Sequence, residues 1–193
     1  MDSEIPAGRP ALPREDCKPV KRTRSQHTGG RDDVFFRQMI HDALGFSVRL
    51  LEIRNRLGEM IGLSGPAFSI LIAIRNLSQD SEVGITRVSE HLHQSGAFVT
   101  LEVAKLVKAG LVDKYANPND GRRVILKVTD KACALLKKLA ETQRPVNDAI
   151  FAELNADQFH MFAETITKLV AGAETGLALL RYMEQQRSII SDG

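Results

Sequence analysis

The hydrophobic period of this chain changes at Gly110, and that change constrains the fold more than any other feature. Before it, Val99, Val103, Leu106 and Val107 recur at helical spacing in a segment opened by Ser95. After it, Leu111-Val112-Asp113-Lys114-Tyr115 alternates with a period of two, and Val124-Ile125-Leu126-Lys127-Val128 is β-branched and strand-like. Asn117-Pro118-Asn119-Asp120-Gly121, between them, is dense in turn formers. The pattern predicts a hairpin whose tip carries Asp120, Gly121, Arg122 and Arg123. Just upstream, Thr86 caps a short helix running to about His93, with Ile85, Val88 and Leu92 inward. Three residues later Ser95 caps the helix that ends at Gly110. Two helices joined by so tight a turn have helix-turn-helix geometry, and a hairpin directly after them is a wing. On the second helix Gly96, Ala97, Thr100, Leu101, Ala104, Lys105 and Lys108 are left facing out.

The flanking segments are helical. Phe36, Met39, Ala43, Phe46, Leu50, Ile53 and Leu57 form one apolar seam on a long helix from about Asp32. Ile40, Leu44, Val48 and Leu51 lie beside it, an apolar surface too wide for one neighbour, which suggests a partner subunit. Ser64-Gly65-Pro66 reads as a helix start, and Phe68, Ile70, Leu71, Ile72, Ile74 and Leu77 make that helix apolar nearly all round. Thr129-Asp130 opens a helix reaching Ile150 and Phe151, which Pro145 should kink or split. Asn155 and Gln158 form a capping-box variant, and Phe159, Phe162, Ile166, Leu169, Ala173, Leu177 and Leu180 make a final seam, with fraying expected after Arg187. The fold class is mainly α with a small β-hairpin wing: a winged helix-turn-helix domain over 63–129, a helical dimerisation region over 32–62 and 130–187, and a disordered basic arm over 1–31.

Charge is uneven. The net is +2, yet residues 1–31 carry seven Lys/Arg against four Asp/Glu, and residues 95–131 carry the same balance. Four of the seven prolines also lie in the arm. Two readings of the arm stand: a solvated tail, or loose phosphate contacts that add salt-dependent affinity for nucleic acid. No apolar run reaches the length of a membrane span, no secretory signal is evident, and two cysteines make no disulfide framework, so a reducing cytoplasm and no membrane partner are expected.

From about Asp33 to Met183 the chain resembles MarR-type winged-helix transcription regulators. The resemblance is carried by Gly84-Ile85-Thr86 opening a helix, Ser95…Val99-Thr100…Leu106 in the next, Gly110-Leu111-Val112, Asp120-Gly121-Arg122-Arg123 and Val128-Thr129. It implies a homodimer joined through the first and last helices, bound to a pseudo-palindromic operator in double-stranded DNA. It also implies repression relieved by a small molecule, often a phenolic or aromatic acid. Ser95, Ala97, Thr100 and Leu101 fall at major-groove contacts, Arg122 at the wing's minor-groove contact, and Asp120 where an acid steadies that Arg. Thr86, Gly96, Lys105 and Arg123 complete the DNA-facing set. At Gly96, Ala97 and Leu101 the sequence departs from the usual polar or Arg residues, so bidentate reading of guanine is missing there.

Phe46, Arg49, Ile53, Arg54 and Phe68 are the candidate effector site, with Arg56 nearby, in a cavity expected between the first helix, the Pro66–Leu77 helix and the helix after Asp130. An anionic head with an apolar aromatic body, an aromatic acid or its CoA thioester, fits this set; surface ion pairing and core packing explain the same residues without a ligand. His91 and His93 lie two apart, which does not share a helix face, so no metal is assigned. Cys17 invites a redox-sensing reading, while Cys133 reads as packing. No cofactor and no catalytic constellation is found, so the chain is not expected to be an enzyme. The alternatives to a ligand-released repressor are a constitutive or architectural DNA-binding protein and a cysteine-based redox-sensing repressor.

Overall fold

A computed structural model describes residues 33–79, 81–118 and 120–191. The arm with Cys17 lies outside them. The chain divides into two compact units, Met1–Ser69 and Ile70–Gly193. In order, the elements are α1 (Asp33–Glu59), α2 (Gly65–Leu77), α3 (Ile85–Leu92), α4 (Gly96–Lys108), β1 (Val112–Asn117), β2 (Asp120–Val128), α5 (Asp130–Ile150) and α6 (Ala156–Ser191). No described helix is long and apolar enough to cross a membrane.

In the first unit, Asp33 sits at the positive end of α1 and accepts from Arg37 at 2.6 Å. The helix closes on Gly58, whose carbonyl accepts from Leu63 N at 2.9 Å. A Cβ at Gly58 would meet that segment, 2.9 Å from Leu63 O and 3.1 Å from Phe68 Cβ, so the turn into α2 requires glycine there. Ser64 caps α2 through Ala67 N (3.4 Å), with Pro66 in the first turn as expected. Along α1 the seam is half-buried at Phe36, Phe46, Leu50 and Ile53 and buried at Leu57, while Ile40, Leu44, Val48 and Leu51 beside it are all exposed.

The second unit's core gathers Ile70, Leu71 and Ile74 of α2 with Val83, Val88, Val99, Val103, Leu106, Val112, Leu126 and Leu136. The cap of α3 lies two residues earlier than expected. Gly84, in extended backbone, occupies the cap position without a side-chain cap, and Thr86 lies inside the helix. The reason is close approach: a Cβ at Gly84 would stand 3.0 Å from Val124 O. Leu126 N also donates to Val83 O at 2.8 Å, which fastens β2 to the segment entering α3. His93 turns the chain between α3 and α4 in left-handed backbone (φ 52°), and its Nδ1 lies 2.7 Å from Glu174 Oε1 on α6. Ser95 caps α4, accepting from Phe98 N at 3.2 Å.

Four other expectations need correction. Val107 is exposed; the inward positions of α4 are Val99, Glu102, Val103 and Leu106. Pro145 does not split α5. Its ring fits helical φ, and Glu141, whose carbonyl loses its donor, is exposed to water. Cys133 is exposed rather than packed. α6 continues past Arg187 to Ser191. Its capping box forms reciprocally, Gln158 N to Asn155 Oδ1 at 2.9 Å and Asn155 N to Gln158 Oε1 at 3.0 Å. Phe151 meets Phe159 edge-on at 5.2 Å, bracing that corner. Beyond it the seam lies open, with Ile166, Leu169, Leu177 and Leu180 all exposed.

One residue joins three elements. Thr129 Oγ1 accepts from Ala132 N (3.2 Å) to cap α5 and donates to Gly110 O (2.9 Å), and Thr129 N donates to Leu111 O (3.1 Å). Gly110 itself has φ +68°, the left-handed turn that ends a helix. Thr129→Ala should lower unfolding free energy by about 0.5–2 kcal/mol in urea titration, with Thr129→Ser close to wild type, because the hydroxyl supplies the cap.

Candidate nucleic-acid interface

The exposed face of α4 follows from its sequence. Gly96, Ala97, Thr100, Leu101, Ala104, Lys105 and Lys108 are all exposed, as the spacing predicts. Small residues at the start let the helix end approach a surface closely, and its free N–H groups favour an anion. Thr100 Oγ1 donates to Gly96 O at 2.8 Å, so its oxygen lone pairs and methyl are what it offers outward. Leu101 stands clear of the protein at 61% exposure.

The one acid of α4 is absent from this face. Glu102 is 4% exposed, and its Oε1 lies 2.5 Å from Lys105 Nζ. Its Oε2 has no hydrogen-bond partner among the described residues. Stranding a buried carboxylate is costly, so Lys105 is held to Glu102 although its own side chain stays 60% exposed. Glu102 was not singled out from the sequence. Its spacing gave the signal: 99, 102, 103 and 106 are the i, i+3, i+4, i+7 positions of one buried stripe.

In the wing, β1 and β2 pair antiparallel from Val112↔Val128 to Ala116↔Val124, after which the register jumps to Asn117↔Asp120. Three residues of β2, Gly121, Arg122 and Arg123, therefore have no opposite number on β1. A bulge of this kind bends the strand and re-aims its side chains. Asp120 Oδ2 pairs with Arg123 Nε at 3.4 Å; the expected Asp120–Arg122 support involves a side chain, that of Arg122, outside the described set. Lower in the wing, Lys127 lies over the Tyr115 ring at 5.9 Å, and Asp113 beside the phenol pushes the Tyr115 pKa up.

Between the wing and the start of α3 lies a cleft of about 650 Å³, which brings together Thr86, Arg87 and Arg123. Asn117 Nδ2 donates to Glu82 Oε2 (3.4 Å) across it, and Arg87 donates to Ser81 Oγ and Glu82 O. Arg87 is a cation that sequence reasoning missed, because outside a known wing nothing marks it from any helix-surface Arg. Ser95→Ala should destabilise the chain by about 1 kcal/mol in thermal or urea unfolding, by orphaning the first N–H groups of α4.

In the first unit the candidate effector residues separate. Arg49 donates back to Gly45 O at 3.1 Å, and Arg56 pairs with Glu52 at 2.7 Å, both on the exposed surface. Arg54 is half-buried, donates Nε to Ser69 Oγ at 3.0 Å, and lies 5.5 Å over the fully buried Phe68 ring. No ion pair reaches it among the described residues, and burial lowers its pKa. Phe46 and Ile53 are half-buried on the same helix.

No protein-family model and no curated protein matches the sequence. Solved structures do. A MarR protein from Peptoclostridium difficile superposes with a TM-score of 0.62 at 19% identity, covering 88% of this chain and 96% of that one. Bordetella bronchiseptica BpsR, whose DNA binding is regulated by 6-hydroxynicotinic acid, gives 0.57 at 19%, covering 69% and 98%. A mutant of Escherichia coli MarR complexed with operator DNA gives 0.53 at 21%, covering 66% and 93%. These likenesses agree with the order α1–α4, hairpin, α5, α6: this chain has the winged-helix fold of the MarR-type regulators.

Proposed function

We propose that the chain is a homodimeric, MarR-like DNA-binding transcription regulator, a repressor released from a pseudo-palindromic operator by a small anionic aromatic ligand. The observation that carries the DNA reading is α4: an exposed face with two lysines and no acid, its one carboxylate turned into the core. The bulge that sets Gly121–Arg123 apart from β1 supports a groove-entering wing. Residues 63–129 then form the reading head. Residues 32–62 and 130–187 form the dimerisation region, supported by the apolar faces left exposed on α1 and on α6.

Readout of bases falls to Thr100, to methyl contacts from Ala97 and Leu101, and to DNA shape, since α4 presents no Arg. The wing's Arg122 supplies a cation to the minor groove, with Arg123 and Thr86 toward the phosphates. Selection of duplexes from a random-sequence library should yield a two-fold related site. Arg122→Ala should weaken gel-shift affinity for that site by about 1–3 kcal/mol, roughly 5- to 160-fold. Unchanged affinity would mean that the hairpin does not touch DNA.

The effector reading rests on Arg54, a half-buried guanidinium over an aromatic ring with no acid paired to it among the described residues. Arg49 and Arg56 are engaged elsewhere, so one carboxylate is the better fit, and an aromatic acid is favoured over its bulkier CoA thioester. The burial of Phe68 in the core favours the second reading, a constitutive DNA-binding protein in which Arg54 only packs. Calorimetry of aromatic acids against the chain with and without its selected DNA separates the two. Linkage requires a releasing ligand to bind the DNA complex more weakly. If Arg54 holds its carboxylate, Arg54→Met should abolish its binding. Equal affinities, or no binding by any acid tried, would leave the constitutive reading.

A further inference from the structure

We infer that Glu102 is a positioning and specificity-determining residue of the DNA-reading helix: it holds Lys105 in a charge-neutralised pair, so that this lysine contributes direction rather than net attraction. The inference rests on the DNA-binding reading above. An acid at position 102 is out of place by pattern, since Val99, Val103 and Leu106 define a core stripe that includes it. It is buried all the same, and one oxygen, Oε2, has no partner among the described residues. Its compensation within α4 is Lys105, 2.5 Å away and one turn on, whose own side chain is 60% exposed. Lys105 also shares an outer stripe, four residues apart, with Leu101 and Ala97, the positions assigned to the groove.

These facts set up a competition. A phosphate at the exposed end of Lys105 attracts the same ammonium that Glu102 holds. Taking the ammonium away strands a buried carboxylate, which costs far more than one exposed phosphate contact returns. The pair therefore stays intact on DNA. The ammonium has three N–H donors, and those not used on Glu102 remain for DNA, presented from a fixed point. Sequence-independent affinity grows with the number of cations free to replace counterions, and Lys105 is partly withdrawn from that number. Affinity for any phosphate backbone is trimmed, while the contact that fits one docking geometry is kept.

The test uses the full chain, a duplex that the wild type selects from a random library, and a random-sequence duplex, titrated over a salt series. Glu102→Gln keeps the side chain's size and its acceptor oxygen and removes the charge. It should raise affinity for random duplex at least threefold. The log–log salt dependence should steepen by roughly 0.9, one further phosphate neutralised. The selected duplex should gain less, so the ratio of the two affinities falls. In parallel, Lys105→Gln should melt below wild type because Glu102 is stranded, and the double variant Glu102→Gln/Lys105→Gln should recover the melting temperature without recovering DNA affinity. A wild type that selects a site while Glu102→Gln leaves both affinities and their ratio unchanged overturns this inference alone, as does Lys105→Gln melting with wild type. A wild type with no sequence preference overturns it together with the DNA-binding reading.

Discussion

The hydrogen bonds around Thr129 decide where the wing stands relative to the reading helix. The hydroxyl and the amide of this residue tie the end of α4, at Gly110 and Leu111, to the first turn of α5, and Lys131 Nζ adds a bond to Ala109 O at 2.8 Å. β1 and β2 leave and return within this knot, so the hairpin is anchored at its base on both strands. A second fastening, Leu126 N to Val83 O, holds β2 against the segment that enters α3. With α3 and α4 packed on a shared apolar core, the outer face of α4, the start of α3 and the bulged wing are held by bonds that do not depend on a ligand. Rigidity of this kind is what a reading surface needs, since contacts to base edges tolerate little error in position.

Electrostatics divides the cations into those already committed and those left available. Arg37, Arg56 and Arg123 have acids within reach, Asp33, Glu52 and Asp120 respectively; the first pair is part-buried, and the two exposed ones each contribute about 0–1 kcal/mol. Two cations differ. Lys105 answers a buried carboxylate, and Arg54 is half-buried with no acid paired to it among the described residues. The first is held by a carboxylate of its own helix; the second is held by Ser69 Oγ and the Phe68 ring. The proposed effector contact follows from that difference.

Much of this was legible from the sequence, and the misses have physical causes. Ser95, Thr129 and the Asn155–Gln158 pair act within three residues of themselves, so their chemistry could be read directly, as could the two strands, whose period changes at Gly110. Thr86 was misread as a cap because the cap position of α3 is Gly84, which offers no side-chain cap and lies in tight approach to a distant atom, Val124 O, 3.0 Å from where a Cβ would stand. Glu102 was passed over because a carboxylate is expected outside; the lysine three residues on offsets its burial. Pro145 stands inside α5 because the carbonyl it orphans faces water, a fact of exposure rather than of pattern. Arg49 and Arg56 looked like an anion site together with Arg54, yet Gly45 and Glu52, each one turn back, had already engaged them.

In the proposed dimer, two copies of this fold read DNA together through paired α4 helices and wings. Paired reading heads need half-sites about one helical turn apart, ~34 Å, on one face of the duplex. Inserting half a turn, about five base pairs, between the half-sites of the selected duplex turns one of them to the opposite face while leaving every base contact intact. In a gel-shift titration at fixed salt, paired reading should cost the inserted duplex at least tenfold in affinity, recovered in part when the insertion is a full turn. Equal affinity for the original and the half-turn duplex would show that the heads bind independently and would rule out paired reading.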